Sequence, residues 1–337
     1  MARPAPKKPI FEWSAIIFTG LCIALLFVLA AAYPPATSNS VHKSGAPADK
    51  AVLGARFGGR IATVLRKPVA VQYVLPPLKL QHLFEKIGYR LDHVRSYGEV
   101  PRLFLASLPT TLDEELQPQD RKIMFIKAAL PLILHANEMI LWDRKKVMKL
   151  LDRIREGMTI SSWEQAWLNR KAQEYGLEEL DLAELVRRID VIPPSLALAQ
   201  AAEESGWGTS RFAREGNAIF GQRTWHGKNA ILPARREKGE TFKVRTFSRL
   251  IDGIMSYTRN LNGHSAYDEF REARELQRRQ NGRLDGYDLA ATLKRYSERG
   301  DAYIESIRML IRVNNLRAFD KARLRDPLVV ELGRPDA

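Results

Sequence analysis

The residues best suited to chemistry lie between Leu196 and Trp225, in the stretch LALAQAAEESGWGTSRFAREGNAIFGQRTW. Two adjacent carboxylates, Glu203 and Glu204, end an alanine-rich helical run and enter a Ser-Gly-Trp-Gly turn. A carboxyl held in partly apolar surroundings stays protonated near neutral pH and can give its proton to a leaving oxygen. On a helix, Glu204 shares a face with Gln200, Ala197 and Ala201, whereas Glu203 lies on the line of Leu196, Ala199 and Gln200. Spacing alone does not choose between them. A glutamate near a helix C-terminus sits at the unfavourable end of the dipole, which supports either a raised pKa or a functional tolerance, against the plainer reading of a solvated pair. Gly206 and Gly208 permit a tight turn, and Trp207 between them offers a flat face of the kind that sugar rings stack on.

Other chemistries find less in the chain. The histidines His42, His82, His93, His135, His226 and His264 are isolated, and none makes the His-Glu-x-x-His pattern of a zinc hydrolase. No metal site and no cofactor is expected. GQRTWHGKN, from Gly221 to Asn229, has glycines spaced one residue too far apart for a phosphate loop and Asn229 where Ser or Thr must hold magnesium. There is no Gly-x-Ser-x-Gly nucleophile elbow. The single cysteine, Cys22, excludes an intramolecular disulfide and a cysteine-rich zinc site. With 53 basic against 39 acidic residues, the formal charge of +14 suits an anionic partner. The short basic runs Arg235-Arg236 and Arg278-Arg279 lack the interleaved aromatics of a single-strand binder, so no nucleic-acid partner is expected.

The elements that must position the carboxylates begin well after the N-terminus. WSAIIFTGLCIALLFVLAAAY, from Trp13 to Tyr33, is 21 residues without a charge, enough at 1.5 Å per residue to span a hydrocarbon core of about 30 Å. Arg3, Lys7 and Lys8 against Glu12 keep residues 1–12 in the cytoplasm and send the rest across the inner membrane. The expectation is a single-pass anchor at 13–33 with the remainder in the periplasm. The competing reading is a signal peptide cut after Ala30-Ala31-Ala32, which leaves the protein free in the periplasm. Residues 34–66, rich in Pro, Ser, Ala and Gly, read as a flexible linker.

The remainder divides into a mostly helical region at 67–190, a second unit at 191–317 and a C-terminal tail at 318–337. VAVQYVLPPL and RLFLASLP read as short extended pieces, and LQHLFEKIGYRL as one amphipathic helix. Apolar residues recur at helical steps from Gln119 to Glu156. A second pattern opens at Ser161 with Glu164 three residues on, a capping box, and a third runs from Asp181 to Asp190. Pro193-Pro194 starts the helix that carries LALAQAAEES. Ala230–Arg236 and Thr241–Phe247 flank Gly239 as a hairpin, the second of them alternating as a half-buried strand does. Helical spacing returns at Leu250, Ile254, Tyr257 and Leu261 and continues to Ile311. The fold class expected is α+β, mostly helical with one small sheet.

VIPPSLALAQAAEESGWGTSRFA, YTRNLNGHSAY and RYSERGDAYIESIRMLI, within Ile192 to Leu316, resemble the bacterial glucosaminidase family of peptidoglycan hydrolases, which includes flagellar muramidase-like enzymes and Bax-like proteins. The region from Val100 to Asp190, including LPLILHANEMIL, looks like the Bax-like subgroup. The resemblance implies a lysozyme-like catalytic domain with a small β-hairpin lobe, acting on the glycan strands of peptidoglycan as an endo-β-N-acetylglucosaminidase. It implies Glu204 as general acid, Glu203 as bystander, and a second carboxylate on the hairpin, Glu240 in preference to Glu237. Tyr296 matches a tyrosine that closes over the cleft, although Ser297-Glu298-Arg299-Gly300 departs from the family's usual continuation. Asn217 to Gly221, with Phe220, correspond to a cleft floor, with core as the equal reading of the apolar members; Trp225 reads as a stacking platform or as hairpin packing, and Gln200 and Trp207 complete the expected sugar-binding set. Tyr257 reads as structural. The alternatives are a noncatalytic wall-binding or scaffolding protein that keeps the cleft, and a lytic transglycosylase.

Overall fold

The computed structural model describes residues 69–71, 74–225, 229–233 and 242–325. The segment expected at the membrane, the linker after it, and both hairpin glutamates, Glu237 and Glu240, lie outside the described residues. The described chain is mostly helical with three small sheets, an α+β arrangement.

β1 (Val69–Val71) leads to α1 (Pro77–Lys86) and α2 (Leu91–Tyr97). The single helix expected from Leu80 to Leu91 is therefore two, because Gly88 at φ +66° turns the chain between them. β2 (Glu99–Val100), β3 (Leu103–Leu105) and the short α3 (Leu112–Glu115) follow. β3 pairs parallel with β1, and β2 pairs parallel with β7 (Arg323–Leu324) from the far end of the described chain. α4 (Pro118–Arg155) is one helix of 38 residues with Pro131 inside it. It is long and apolar enough to cross a membrane by length and composition, but 72% of its apolar window is buried in the protein. Its apolar residues serve two cores. Met124 to Ala136 belong to one, and Ile140, Val147 and Leu150 to the other.

The second, smaller core joins the end of α4 to α5 (Ser162–Glu174) and α6 (Leu182–Arg188) through Trp167, Leu168, Tyr175, Leu185 and Ile189. The capping box at the start of α5 is present: Ser161 Oγ accepts from Glu164 N, and the Glu164 carboxylate accepts from Ser161 N at 2.7 Å. Asp181 caps α6 one-sidedly, its carboxylate accepting from Ala183 N and Glu184 N. The larger core runs without a break from residues 80–136 into residues 192–324. Position 190/191, expected as a domain boundary, is thus a place in the chain rather than a division in packing. Arg274, almost wholly buried, reinforces this junction by donating to the carbonyls of Arg187, Arg188, Asp190 and Val191.

α7 (Pro194–Ser205) starts at the expected proline pair and ends where Gly206 takes a left-handed conformation at φ +56°. Trp207 N donates to Ala202 O at 3.0 Å, closing the last turn. The helix packs against α4, α11 (Gly286–Leu289), α12 (Asp301–Val313) and the 3-10 turn Leu316–Lys321. Ten of its twelve residues are buried, and the two that are not are Glu203 and Glu204. After α8 (Arg211–Gly216), β4 (Arg223–Thr224), β5 (Ala230–Ile231) and β6 (Lys243–Arg245) form an antiparallel sheet in the order β4-β6-β5. β5 and β6 fall where the hairpin was expected, and β4 adds a strand that the sequence reading lacks. α9 (Leu250–Gly263) and α10 (Asp268–Asn281) complete the helical set.

Candidate active site

An open cleft of about 1310 Å³ lies beside the end of α7, and Glu204 lines it together with Phe220, Gly221, Arg223, Trp225, Tyr296 and Arg299. The arrangement separates the two glutamates. Glu203 is held by Arg299, whose Nη1 lies 2.7 Å from its Oε1 and whose Nη2 bonds Ser306 Oγ at 2.7 Å. Glu204 faces the cleft and has no arginine partner at bonding distance among the described residues. Burial pushes its carboxyl above the ordinary range, and the charge of Glu203 adds to this. A hydrogen bond from Tyr303 and the charges of Arg299 and Arg223 act in the opposite direction without cancelling it.

Beneath Glu204 is a buried relay. Tyr257 Oη donates to Gln200 Oε1 at 2.7 Å, and Gln200 Nε2 donates to Tyr303 Oη at 2.9 Å. Gln200 and Tyr257 are fully buried and Tyr303 nearly so. Because the Tyr303 oxygen already accepts from Gln200, its proton is free to go to Glu204, and the chain of donors runs one way toward the carboxylate. The tyrosines also form a ring stack. Tyr296 lies nearly parallel to Tyr303 at 5.4 Å, and Phe220 lies flat on Tyr257 at 3.8 Å. Gly221, at φ +57°, brings the backbone past Glu204: a Cβ there would stand 3.5 Å from its Oε2.

The site residues expected from the sequence are therefore only partly gathered. Glu204, Phe220, Gly221, Trp225 and Tyr296 line the cleft. Gln200 does not reach it and works from below, through Tyr303. Trp207, expected as a stacking face for sugar, packs elsewhere: its ring meets Phe125 edge-on at 5.8 Å and Lys122 Nζ lies 5.4 Å from its centre. Trp207 itself takes a positive φ of 60° between two glycines, and its ring points at α4. Asn217 is also withdrawn from the cleft. It caps α8 in a left-handed conformation and donates Nδ2 to Phe247 O at 3.1 Å.

Sequence reasoning missed Tyr303, Arg299 and the end of α5, which contributes Gln173, Glu174 and Gly176 to the cleft. Tyr303 carried a signal, because it falls on the apolar stripe of α12 with Ile304, Ile307 and Ile311, where a buried hydroxyl needs a partner. The cleft is basic: Arg188, Arg223, Arg245, Arg259, Arg295 and Arg299 face Glu174, Glu204 and Glu298. Among the described residues no group of three or more His, Cys, Asp or Glu side chains is placed to hold a metal ion.

Residues 181–316 match the Glucosaminidase family, described as mannosyl-glycoprotein endo-beta-N-acetylglucosaminidase. Protein bax of Escherichia coli strain K12 is 31% identical over 189 residues, which cover 54% of this chain and 66%, just under two thirds, of that protein. Among solved structures, the catalytic domain of the autolysin Auto from Listeria monocytogenes is 18% identical, with 51% of this chain and 96% of that chain covered and a TM-score of 0.31. Residues 181–316, which include Glu204, Gln200, Tyr257 and Tyr303, are thus similar to the glucosaminidase family.

Proposed function

We propose that the protein is a peptidoglycan glycan-strand hydrolase, an endo-β-N-acetylglucosaminidase of lysozyme-like fold, in which Glu204 is the general acid. The observation that carries this reading is the placement of Glu204, which faces an open cleft from a helix otherwise almost wholly buried and whose carboxyl is shifted upward by that burial. A protonated Glu204 gives its proton to the glycosidic oxygen as an oxocarbenium-like centre develops on the sugar. Gly221, with no side chain, leaves the approach to the carboxyl open, and the Tyr303 hydroxyl donates to that carboxyl.

The second carboxylate of this reading is Glu240, with Glu237 as its alternate; a separation of about 5 Å from Glu204 implies a covalent retaining route and a wider one a water-mediated inverting route. The arginines of the cleft suit a polymer whose stem peptides carry carboxylates. An anchor at 13–33 that holds the domain in the periplasm agrees with the location of this substrate.

The test is release of soluble fragments from purified sacculi by the full-length chain in detergent. Glu204→Gln should lower the rate by about 10²–10⁴-fold, the usual worth of a positioned acid, with no change in thermal unfolding. Retention of full activity by that variant refutes the assignment. Mass spectrometry of the ends separates the cleavage types: a reducing N-acetylglucosamine end supports the glucosaminidase, and an anhydro end overturns it for a transglycosylase.

A further inference from the structure

The wall of the cleft includes a piece of chain that precedes the family-matched segment. That segment begins at residue 181, yet Gln173, Glu174 and Gly176, at the end of α5, line the same cleft as Glu204. They are fixed there by backbone contact with the end of α9. A Cβ on Gly176 would stand 3.2 Å from Gly263 O, and one on Gly263 would stand 3.0 Å from Tyr175 O, so a side chain at either position would press the two segments apart. Arg188 locks the contact. Its Nη1 donates to Tyr175 O at 2.8 Å, Gly176 O at 3.1 Å and Gly263 O at 3.0 Å, and its Nε is held by Glu184 at 2.6 Å.

Side chains at this end are set for polar recognition. Glu174 is steadied by Lys171 Nζ at 2.8 Å and by Arg259 Nη1 at 3.6 Å, which leaves acceptor positions open toward the cleft. Gln173 is exposed and its amide has no hydrogen-bond partner among the described residues. A line of rings joins this end to the acid: from Tyr303 at Glu204, centroids step 5.4 Å to Tyr296, 6.0 Å to Tyr267 and 5.9 Å to His264, next to Gly263. Tyr296, Tyr267 and His264 of that line border the cleft, over a length that exceeds one pyranose ring.

We propose that Gln173–Gly176 form a distal glycan subsite, which binds a further N-acetyl amino-sugar of the strand whose scissile bond lies at Glu204. The proposal rests on the glycan-hydrolase reading of the cleft. Gln173 and Glu174 bond the hydroxyl and acetamido groups of that sugar, while Tyr267 and His264 face its ring.

The test is titration calorimetry of the full-length Glu204→Gln protein with glycan oligomers freed of their peptides and graded in length, with and without Gln173→Ala and Glu174→Ala together. The expected result is that affinity rises with length in the parent and that the double substitution removes about tenfold of that rise. Gln173→Ala alone, which breaks no side-chain hydrogen bond to a described residue, should remove part of it. Equal weakening at every length, no weakening, or an effect confined to peptide-bearing strands overturns the subsite. Should the otherwise unsubstituted chain cut long sacculus strands no faster than the Gln173/Glu174 variant, the subsite falls and the hydrolase stands. Should that chain cut nothing and Glu204→Gln bind no oligomer, both fall.

Discussion

Replacing Tyr303 by Phe removes one oxygen from the relay and tests the direction in which it works. The Tyr303 hydroxyl favours the ionised form of Glu204, so its loss leaves the carboxyl protonated to higher pH. A hydrogen bond to a charged group contributes about 1.5–3 kcal/mol, and one pKa unit corresponds to about 1.4 kcal/mol. Glu204 is reachable by water, which replaces part of the lost bond, so the expected shift is about one unit rather than two. A general acid is active when protonated, and its ionisation sets the basic limb of the pH profile. The basic limb of kcat/KM for sacculus digestion by Tyr303→Phe should therefore move up by about one unit.

The same substitution orphans Gln200 Nε2, which is fully buried and has Tyr303 as its acceptor. An unsatisfied buried donor costs about 1–3 kcal/mol, so the variant should also unfold at lower urea concentration. Tyr257→Phe provides the contrast, since it removes the donor to Gln200 Oε1 and leaves the Tyr303 to Glu204 bond in place. Its stability loss should be similar and its pH profile should move less. A basic limb that stays fixed or moves down in Tyr303→Phe, in protein that remains folded, refutes the relay as a determinant of the acid.

Asp320 and Gly208 give two tests of the scaffold. Asp320 accepts from Ser195 N at 2.8 Å, Ser195 Oγ at 2.7 Å and Gly286 N at 3.1 Å, and burial raises its carboxyl from 3.8 to about 6. The native state thus holds a proton that the unfolded chain releases, so this group's contribution is full below about pH 3.8 and is lost as pH rises through about 6, by at most about 3 kcal/mol. Asp320→Asn does not titrate; its stability deficit against the parent, from urea denaturation between pH 4 and 7, should be largest at pH 4 and shrink toward pH 7. Gly208 has φ +84°, and a Cβ there would stand 2.8 Å from Leu108 Cδ1 and 3.1 Å from Phe125 Cδ2. Gly208→Ala should cost about 2–4 kcal/mol, from left-handed strain and overpacking together, as a fall in the urea midpoint.

The parts of this fold that were legible in the sequence are those decided within a few residues. The capping box at Ser161 and Glu164, the Asp181 cap and the Pro193-Pro194 start of α7 all follow from local hydrogen bonding or a fixed φ. What escaped the sequence is set by distant chain. Helical spacing left Glu203 and Glu204 equivalent because the residue that ties Glu203 away, Arg299, lies 96 positions later. Gln200 shared a face with Glu204 and so read as a cleft residue, but its partners Tyr257 and Tyr303 lie 57 and 103 positions away and hold it below the surface. Trp207 was misplaced for a different reason, since glycine neighbours indicate a turn without giving its direction, and the ring lies against Phe125, 82 positions earlier.

These long-range choices share one physical origin. α7 is built from alanines, so α4, α11, α12 and the 3-10 turn at Leu316–Lys321 can all approach its axis. Neighbours packed in this way shield Glu204 from water on most sides, and that burial raises its pKa. A longer apolar residue at Ala197 or Ala201 would hold those neighbours off and admit water around Glu204. The small residues that looked merely helix-forming are therefore what holds the Glu204 carboxyl above the ordinary range, and the hydroxyl of Tyr303 limits that rise.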